Sequence, residues 1–140
     1  MPAYNTAYPP PFLAYEFPLN TYLVFSKEAI VAGEFSQQVS IPLGLVAGQK
    51  GIRVELDFNQ NPGAYEIDVM ESDNDLLGGS QYQQVPTGGA LTTVTTGANG
   101  PNTHQSTDLI PVAGQFVLLY VKTAPANGGT TVTARITRAA

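Results

Sequence analysis

The chain has 140 residues and a net charge of −5, and 43% of its residues are hydrophobic whereas only 12% are charged. This length suits one domain with its own core, and the acidic balance argues against charge-driven binding of nucleic acid or anionic membranes. The sequence has no cysteine, which excludes disulfides and thiol chemistry, and no apolar run approaches the roughly 20 residues of a membrane span.

Residues 1–20 predict an extended arm. They hold five of the 11 prolines of the chain, and proline disfavours both helices and sheet interiors. A purely disordered tail would be poor in aromatic residues, but this one is rich in them. We therefore expect the arm to lie on a surface, either the edge of its own domain or a neighbouring subunit. Its aromatic residues are Tyr4, Tyr8, Phe12, Tyr15 and Phe17.

Residues 51–73 contain the clearest strand pattern. Residues 52–58 alternate apolar and polar side chains with a period of two, which is typical of a strand with one buried face. A turn at 60–63, Gln-Asn-Pro-Gly, follows, and residues 65–69 then resume the alternation. A hairpin with this turn would place six apolar side chains on one face.

The same hairpin would bring like charges together. Asp57 would face Glu66 and Glu55 would face Asp68, which costs a sheet roughly a few tenths of a kcal/mol or more per pair. Three interpretations stay open. The turn is a corner between two sheets of a sandwich, the carboxylates are simply hydrated, or their face meets a cation or a basic partner.

The rest of the chain also favours strands. Residues 116–121 form a continuous apolar run, which predicts a central strand covered on both faces, and 131–137 alternate cleanly. Residues 96–107 are polar and aperiodic, which predicts a loop. About eight strands with turns between them predict an all-β antiparallel sandwich or jelly roll, as one domain over 21–140. The further strand candidates are 21–25, 35–43, 81–85, 91–96 and 109–112.

The sequence carries no recognisable catalytic motif. His104 is the only histidine, and we expect it to be an exposed loop residue. One histidine without cysteine does not support a transition-metal site. Asp73 and Asp75 could offer oxygen atoms to calcium, but the spaced acids and central glycine of an EF-hand loop are missing. We therefore predict a non-enzyme without a cofactor.

Two segments resemble parts of small structural proteins of tailed phages. Residues 61–75 resemble a Pro-Gly-aromatic-x-Ile-Asp-Val segment of those proteins, and residues 116–122 followed by 130–138 resemble their closing hairpin. The resemblance implies a virion component made in the host cytoplasm. The first expectation is a decoration (cementing) protein on the capsid exterior, and the second is a neck, tail or fibre component.

The resemblance also implies partners. We expect contacts with the lattice of the major capsid protein and a homo-oligomer, with a trimer favoured, through the five aromatic residues of the arm. We also expect the sandwich, from about Thr21, to fold without the arm. The alternative from another functional class is a carbohydrate-binding sandwich that uses Tyr65, Tyr82 or Tyr120 as sugar platforms. This function would require those rings to be exposed.

Overall fold

A computed structural model describes residues 15–16, 20–41, 51–73, 82–92 and 103–139. These residues form 11 strands in two antiparallel sheets, with no helix in the described part of the chain, so the predicted β-sandwich is confirmed. Within the same ranges, nothing qualifies as an apolar helix long enough to cross a membrane.

Sheet I has its strands in the order β1-β2-β11-β4, and two short strands, β8 and β9, share the outer edge of β4. The last strand of the chain, β11, therefore lies in the middle of the sheet, paired with β2 on one side and β4 on the other. The strands are β1 (Tyr15–Glu16), β2 (Thr21–Glu28), β4 (Gly51–Phe58), β8 (His104–Ser106), β9 (Ile110–Pro111) and β11 (Val132–Ala139).

Sheet II has the order β3-β10-β5, and β6 and β7 share the outer edge of β5. The prediction for residues 116–121 is confirmed, because β10 lies between β3 and β5 and Val117, Leu118 and Leu119 are fully buried. The strands are β3 (Val39–Ser40), β5 (Glu66–Ser72), β6 (Gln83–Gln84), β7 (Ala90–Thr92) and β10 (Phe116–Thr123).

The turn after β4 is a corner and not a hairpin. β4 belongs to sheet I and β5 to sheet II, so Asp57 and Glu66 do not face each other. Each strand pairs instead with a long partner, β4 with β11 and β5 with β10. Gly63 at the corner has a φ of 70°, a conformation that favours glycine.

The predicted strand over 35–43 is wrong for most of its length. Regular pairing with β10 is limited to Val39–Ser40, and Phe35 forms an isolated bridge to Tyr120. Between these points the backbone N–H of Gln37 turns to the carbonyl of Val24 in sheet I, at 3.5 Å. Ser36 stays on β10, because its backbone N–H donates to the Leu119 carbonyl at 2.8 Å, so the regular pairing is interrupted at Gln37, where the alternation breaks. Residues 42 and 43 lie outside the described residues.

The predicted loop over 96–107 is partly wrong, because residues 104–106 form β8 and pair with β4. All three residues of β8 are polar, and the strand lies at the edge of sheet I with exposed ends. An edge strand gains backbone hydrogen bonds with little burial, so it shows no hydrophobic period. Residues 93–102 lie outside the described residues.

The core fills the space between the inner faces of the two sheets. Every second residue of β4 and β11 points into it, as the period of two predicts. Burying a large apolar side chain is worth about 1.5–3 kcal/mol, so this layer carries most of the stability of the domain. Its fully buried members include Phe25, Ile52, Leu56, Ile67, Leu119 and Ile136.

Candidate functional site

Sheet II carries a second apolar cluster on its outer face. Every second side chain of β10 points away from the core, and the outward residues include Leu118, which has Met70 as its neighbour on β5. Two aromatic residues from outside β5 and β10 pack against Leu118. We call this cluster the ring face. It consists of Phe35, Met70, Tyr82, Phe116, Leu118 and Tyr120.

The ring face is only half covered. The rings of Phe35 and Tyr120 have their centroids 5.0 Å apart with a tilt of 42°, a geometry worth about 0.5–1.5 kcal/mol beyond burial. The Tyr82 hydroxyl donates to Gln38 Oε1 at 2.6 Å, which anchors that ring in the cluster. In contrast, Phe116, Tyr120 and Met70 stay partly exposed. Exposed apolar patches mark contact surfaces, so we take the partly exposed ring face as the candidate contact surface.

Two carboxyl groups adjoin the ring face. Asp68 pairs across the strands with Tyr120 and is only 5% exposed, and its Oδ1 atom has no hydrogen-bond partner. Burial, together with the hydrogen bond and charge of Glu66, raises the pKa of Asp68 to about 7. The hydrogen bond with Asp68, and then Lys122 at 3.5 Å, lowers the pKa of Glu66. Near neutral pH the two carboxyl groups therefore share a proton beside the aromatic rings.

The outer face of sheet I holds a charged group instead. His104 Nδ1 lies 2.6 Å from Asp57 Oδ1, and Arg135 Nη1 donates to Asp57 Oδ2 at 2.9 Å. Burial alone would raise the pKa of Asp57, but the hydrogen bonds of His104 and Arg135 outweigh it and lower the pKa. The side chains of His104 and Asp57 are 51% and 44% exposed. His104 is thus exposed as expected, but on a strand and beside a carboxylate.

The arm meets the domain at β1. Tyr15 pairs with Leu23 and Glu16 with Tyr22, so this part of the arm lies on the edge of its own domain. The carbonyl of Val24 accepts the Gln37 N–H, which takes up the next position along β2. The other proposed contact residues, Tyr4, Tyr8, Phe12 and Phe17, lie outside the described residues.

The three proposed sugar-platform tyrosines do not form an exposed surface. Tyr65 and Tyr82 are each 5% exposed, and Tyr120 is partly buried in the ring face. The Tyr65 hydroxyl donates to Gln105, its ring lies 5.0 Å from Phe58, and burial raises its pKa to about 12. Tyr65 therefore belongs to the packing at the corner.

Asp73, one of the two proposed calcium ligands, is exposed, and Asp75 lies outside the described residues. In the ranges that the structure describes, His, Cys, Asp and Glu form no group of three or more that could hold a metal ion. Glu71 is buried, but its Oε1 accepts the N–H groups of Ala113 and Gly114 at 2.7 and 2.8 Å. That carboxylate is thus used to tie β5 to the segment before β10.

A cleft of about 310 Å³ lies beside Glu71, between the turn after β6 and strand β9. Its lining is mostly apolar and includes Pro86, Pro111 and Val112. Because Glu71 already binds two backbone N–H groups, the cleft offers a ligand little that is chemically distinctive. The ring face and its acid pair are the stronger candidate site.

Sequence reasoning missed the ring face. The alternation in 116–121 indicated which side chains leave the core, but not that Phe35 and Tyr82 would cover Leu118. Asp68 lies at a polar position of the pattern, and its burial was not among the three interpretations left open for these carboxylates. The one available signal was the unbroken apolar run in β10, which already indicated cover on both faces.

Comparisons with known proteins add no assignment to these surfaces. No protein-family model, no curated protein and no solved structure matches this chain.

Proposed function

We propose that the protein is a virion structural protein of a tailed phage, a decoration protein that binds the outside of the assembled head and stabilises it. The observation that carries the proposal is the ring face, a partly exposed aromatic cluster on the outer side of a sheet. The resemblance of residues 61–75, 116–122 and 130–138 to phage structural proteins supplies the biological setting.

The chemistry of the ring face suits adhesion. A contact that buries a large aromatic ring fully is worth about 1.5–3 kcal/mol, and the ring face offers partly exposed Phe116 and Tyr120. A protein that binds only the assembled shell stabilises it by mass action, and the stabilisation grows with the logarithm of its free concentration over Kd. Such a role requires no catalysis.

The partner in this proposal is the lattice of the major capsid protein, on the exterior of the virion. The aromatic residues of the arm, Tyr4, Tyr8, Phe12, Tyr15 and Phe17, would add contacts to the capsid or to neighbouring copies, within a homo-oligomer for which a trimer is favoured. Prolines in the arm lower the entropy lost when it becomes ordered, because their φ is already fixed.

A neck, tail or fibre component is the second candidate, since the same surfaces would serve there. The carbohydrate-binding alternative is weaker, because Tyr65 and Tyr82 are buried and would not present their faces to a sugar.

Two measurements test the proposal together: the location of the protein on the phage particle and its binding to heads. Gold-labelled antibody on purified particles of the phage that encodes the chain should decorate the head surface. Heads lacking the protein should break at a lower temperature, and added protein should restore their stability in a saturable way. Replacing Phe116 by Ser should weaken this restoration at least tenfold in Kd. Leu109→Ser, at an exposed apolar residue outside the ring face, is the matched control and should leave binding unchanged.

Label confined to the neck or tail would favour the second candidate. A chain that is missing from the particles and shows no saturable binding to heads would overturn the proposal.

A further inference from the structure

The ring face lacks part of its cover. Phe116, Met70 and Tyr120 stay partly exposed around the buried Leu118. Beside them, the Asp68 Oδ1 atom is buried without a hydrogen-bond partner. A buried acceptor of this kind costs free energy until a donor reaches it. The surface therefore suits an occupant that is apolar, ring-rich and able to donate a hydrogen bond.

Residues 1–14 of this chain have that chemistry. They contain no Asp, Glu, Lys or Arg side chain, so burying them does not require the dehydration of a charged side chain. Their rings are Tyr4, Tyr8 and Phe12, and the tyrosine hydroxyls are donors of the kind that the Asp68 Oδ1 atom lacks. The run Pro9-Pro10-Pro11 favours polyproline geometry, which characteristically binds aromatic-lined grooves.

The position at which the arm joins the domain favours the ring face of a second copy as the binding surface. Tyr15 is fixed on β2 opposite Leu23, at the edge of sheet I, and Gln37 takes the next carbonyl along that edge. To reach its own ring face, the arm would have to bend around the edge of a sandwich whose sheets lie about 10 Å apart. Three consecutive prolines resist such a bend. Extended outward, 14 residues reach about 46 Å, which is enough to reach a neighbour.

We infer that the ring face of one copy binds residues 1–14 of a second copy, so that copies of this chain associate by exchanging their arms. This inference deepens the assembly role proposed above and rests on it for its purpose: the ring face would act on the shell by joining neighbouring copies, so the weaker head binding expected of Phe116→Ser would follow from weaker association of the copies. The association itself needs no shell. Tyr120, Phe116 and Met70 form the receiving surface, and Tyr4, Tyr8 and Phe12 are the inserted rings.

Two full-length variants test the exchange. The arm variant carries Tyr4→Ser, Tyr8→Ser and Phe12→Ser, and keeps an intact ring face. The face variant carries Phe116→Ser and Tyr120→Ser, and keeps an intact arm. Leu109→Ser is the control, because it changes an exposed apolar residue elsewhere. Sedimentation velocity over a micromolar concentration series measures association, and circular dichroism verifies that each chain is folded.

We expect the unchanged chain and the control to associate equally, and each variant alone to associate at least tenfold more weakly. An equimolar mixture should recover hetero-association, because the arms of the face variant can enter the faces of the arm variant. A synthetic peptide of residues 1–14 should bind the arm variant and compete with association of the unchanged chain. This peptide measurement does not depend on the folding of the face variant.

A mixture of folded variants that stays dissociated would overturn the inference, as would a peptide that fails to bind. An unchanged chain that is monomeric throughout, with both variants melting at lower temperature, would show that the arm binds its own ring face. Association without binding to heads would leave the exchange standing and remove the virion role.

Discussion

The outer faces of the two sheets carry different kinds of side chain. On sheet I, outward positions of β4 and β11 carry Asp57 and Arg135, which meet water and each other. On sheet II, outward positions of β10 carry Leu118 and Tyr120 under a partial cover of rings. In all three strands successive side chains point to opposite faces, with the same period of two. The period therefore indicates which side chains leave the core, but it does not indicate whether water meets them.

The difference comes from segments beside the strands. Phe35 and Tyr82 reach over β10 from positions outside β5 and β10, and Tyr82 is fixed by its bond to Gln38. Such cover makes one outer face behave like a small second core, whereas the other behaves like an ordinary wet surface. The stabilities of variants on the two faces should therefore differ in size and in pH dependence.

The largest contrast should come from truncating one outward side chain on each face. Leu118→Ala should lower the free energy of unfolding by about 2–5 kcal/mol, because Leu118 is fully buried and leaves a cavity. Arg53→Ala, at an exposed position of β4, should change it by less than about 0.5 kcal/mol. Urea unfolding followed by circular dichroism measures both, and equal effects would refute a second core.

The pH dependence of stability should have opposite signs on the two faces. Because the pKa of Asp68 is raised to about 7, the folded state holds a proton that the unfolded state releases near pH 4. Stability should therefore fall as pH rises from about 4 to 7, by at most about 1.4 kcal/mol per pH unit. Asp68→Asn should flatten this slope in urea unfolding at pH 5, 6, 7 and 8.

Two other acids, Glu34 and Glu66, refine that experiment. Glu34 is also buried and its pKa is raised by burial, so part of the slope should persist in Asp68→Asn and disappear on adding Glu34→Gln. Glu66 has a lowered pKa through its bond with Asp68, which opposes the slope. A slope that is unchanged in both variants would show that neither acid is protonated in the folded chain.

The contact between Phe35 and Tyr120 should appear as a coupling. A double-mutant cycle with Phe35→Leu and Tyr120→Leu should give an interaction of about 0.5–1.5 kcal/mol, because the rings are tilted with centroids 5.0 Å apart. Thermal or urea unfolding of the four chains gives the value. Strict additivity would mean that the rings contribute only their area.

The smallest effect should come from the charged group on sheet I. The pKa of Asp57 is lowered by His104 and Arg135 against burial, so its contribution is present above about pH 4 and is lost as pH falls through the folded pKa. Because the groups are largely exposed, Asp57→Asn at pH 7 should cost only about 0.2–1 kcal/mol. Added salt should reduce that cost, and a salt-independent loss would contradict this interpretation.

Local patterns predicted much of the sandwich. Residues 116–121 and 131–137 form the expected strands because their side chains alternate or are buried on both faces. The sequence could not decide between a hairpin and a corner after β4, because that choice depends on the distant partner strands β10 and β11. Strand β8 could not be predicted, since its stability comes from backbone pairing at an edge.

The candidate site was harder to predict than the fold. The aromatic arm was visible in the sequence, but the surface on sheet II was not, because Phe35 and Tyr120 are 85 residues apart and their backbone pairing is an isolated bridge. The alternating pattern predicts that Asp68 is a surface residue. Its burial depends on what lies across the sheet, which local sequence does not encode.

The central place of β11 has a consequence for synthesis. Strand β2 ends at Glu28 and β4 at Phe58, but their shared partner begins only at Val132. At about 5–20 residues per second, translation leaves the edge of β2 unpaired for roughly 5–20 s. Sheet I therefore cannot close on the ribosome before residues 132–139 have emerged. A nascent or truncated chain that lacks β11 would present two bare strand edges to its neighbours, where misassembly would compete with completion of the fold.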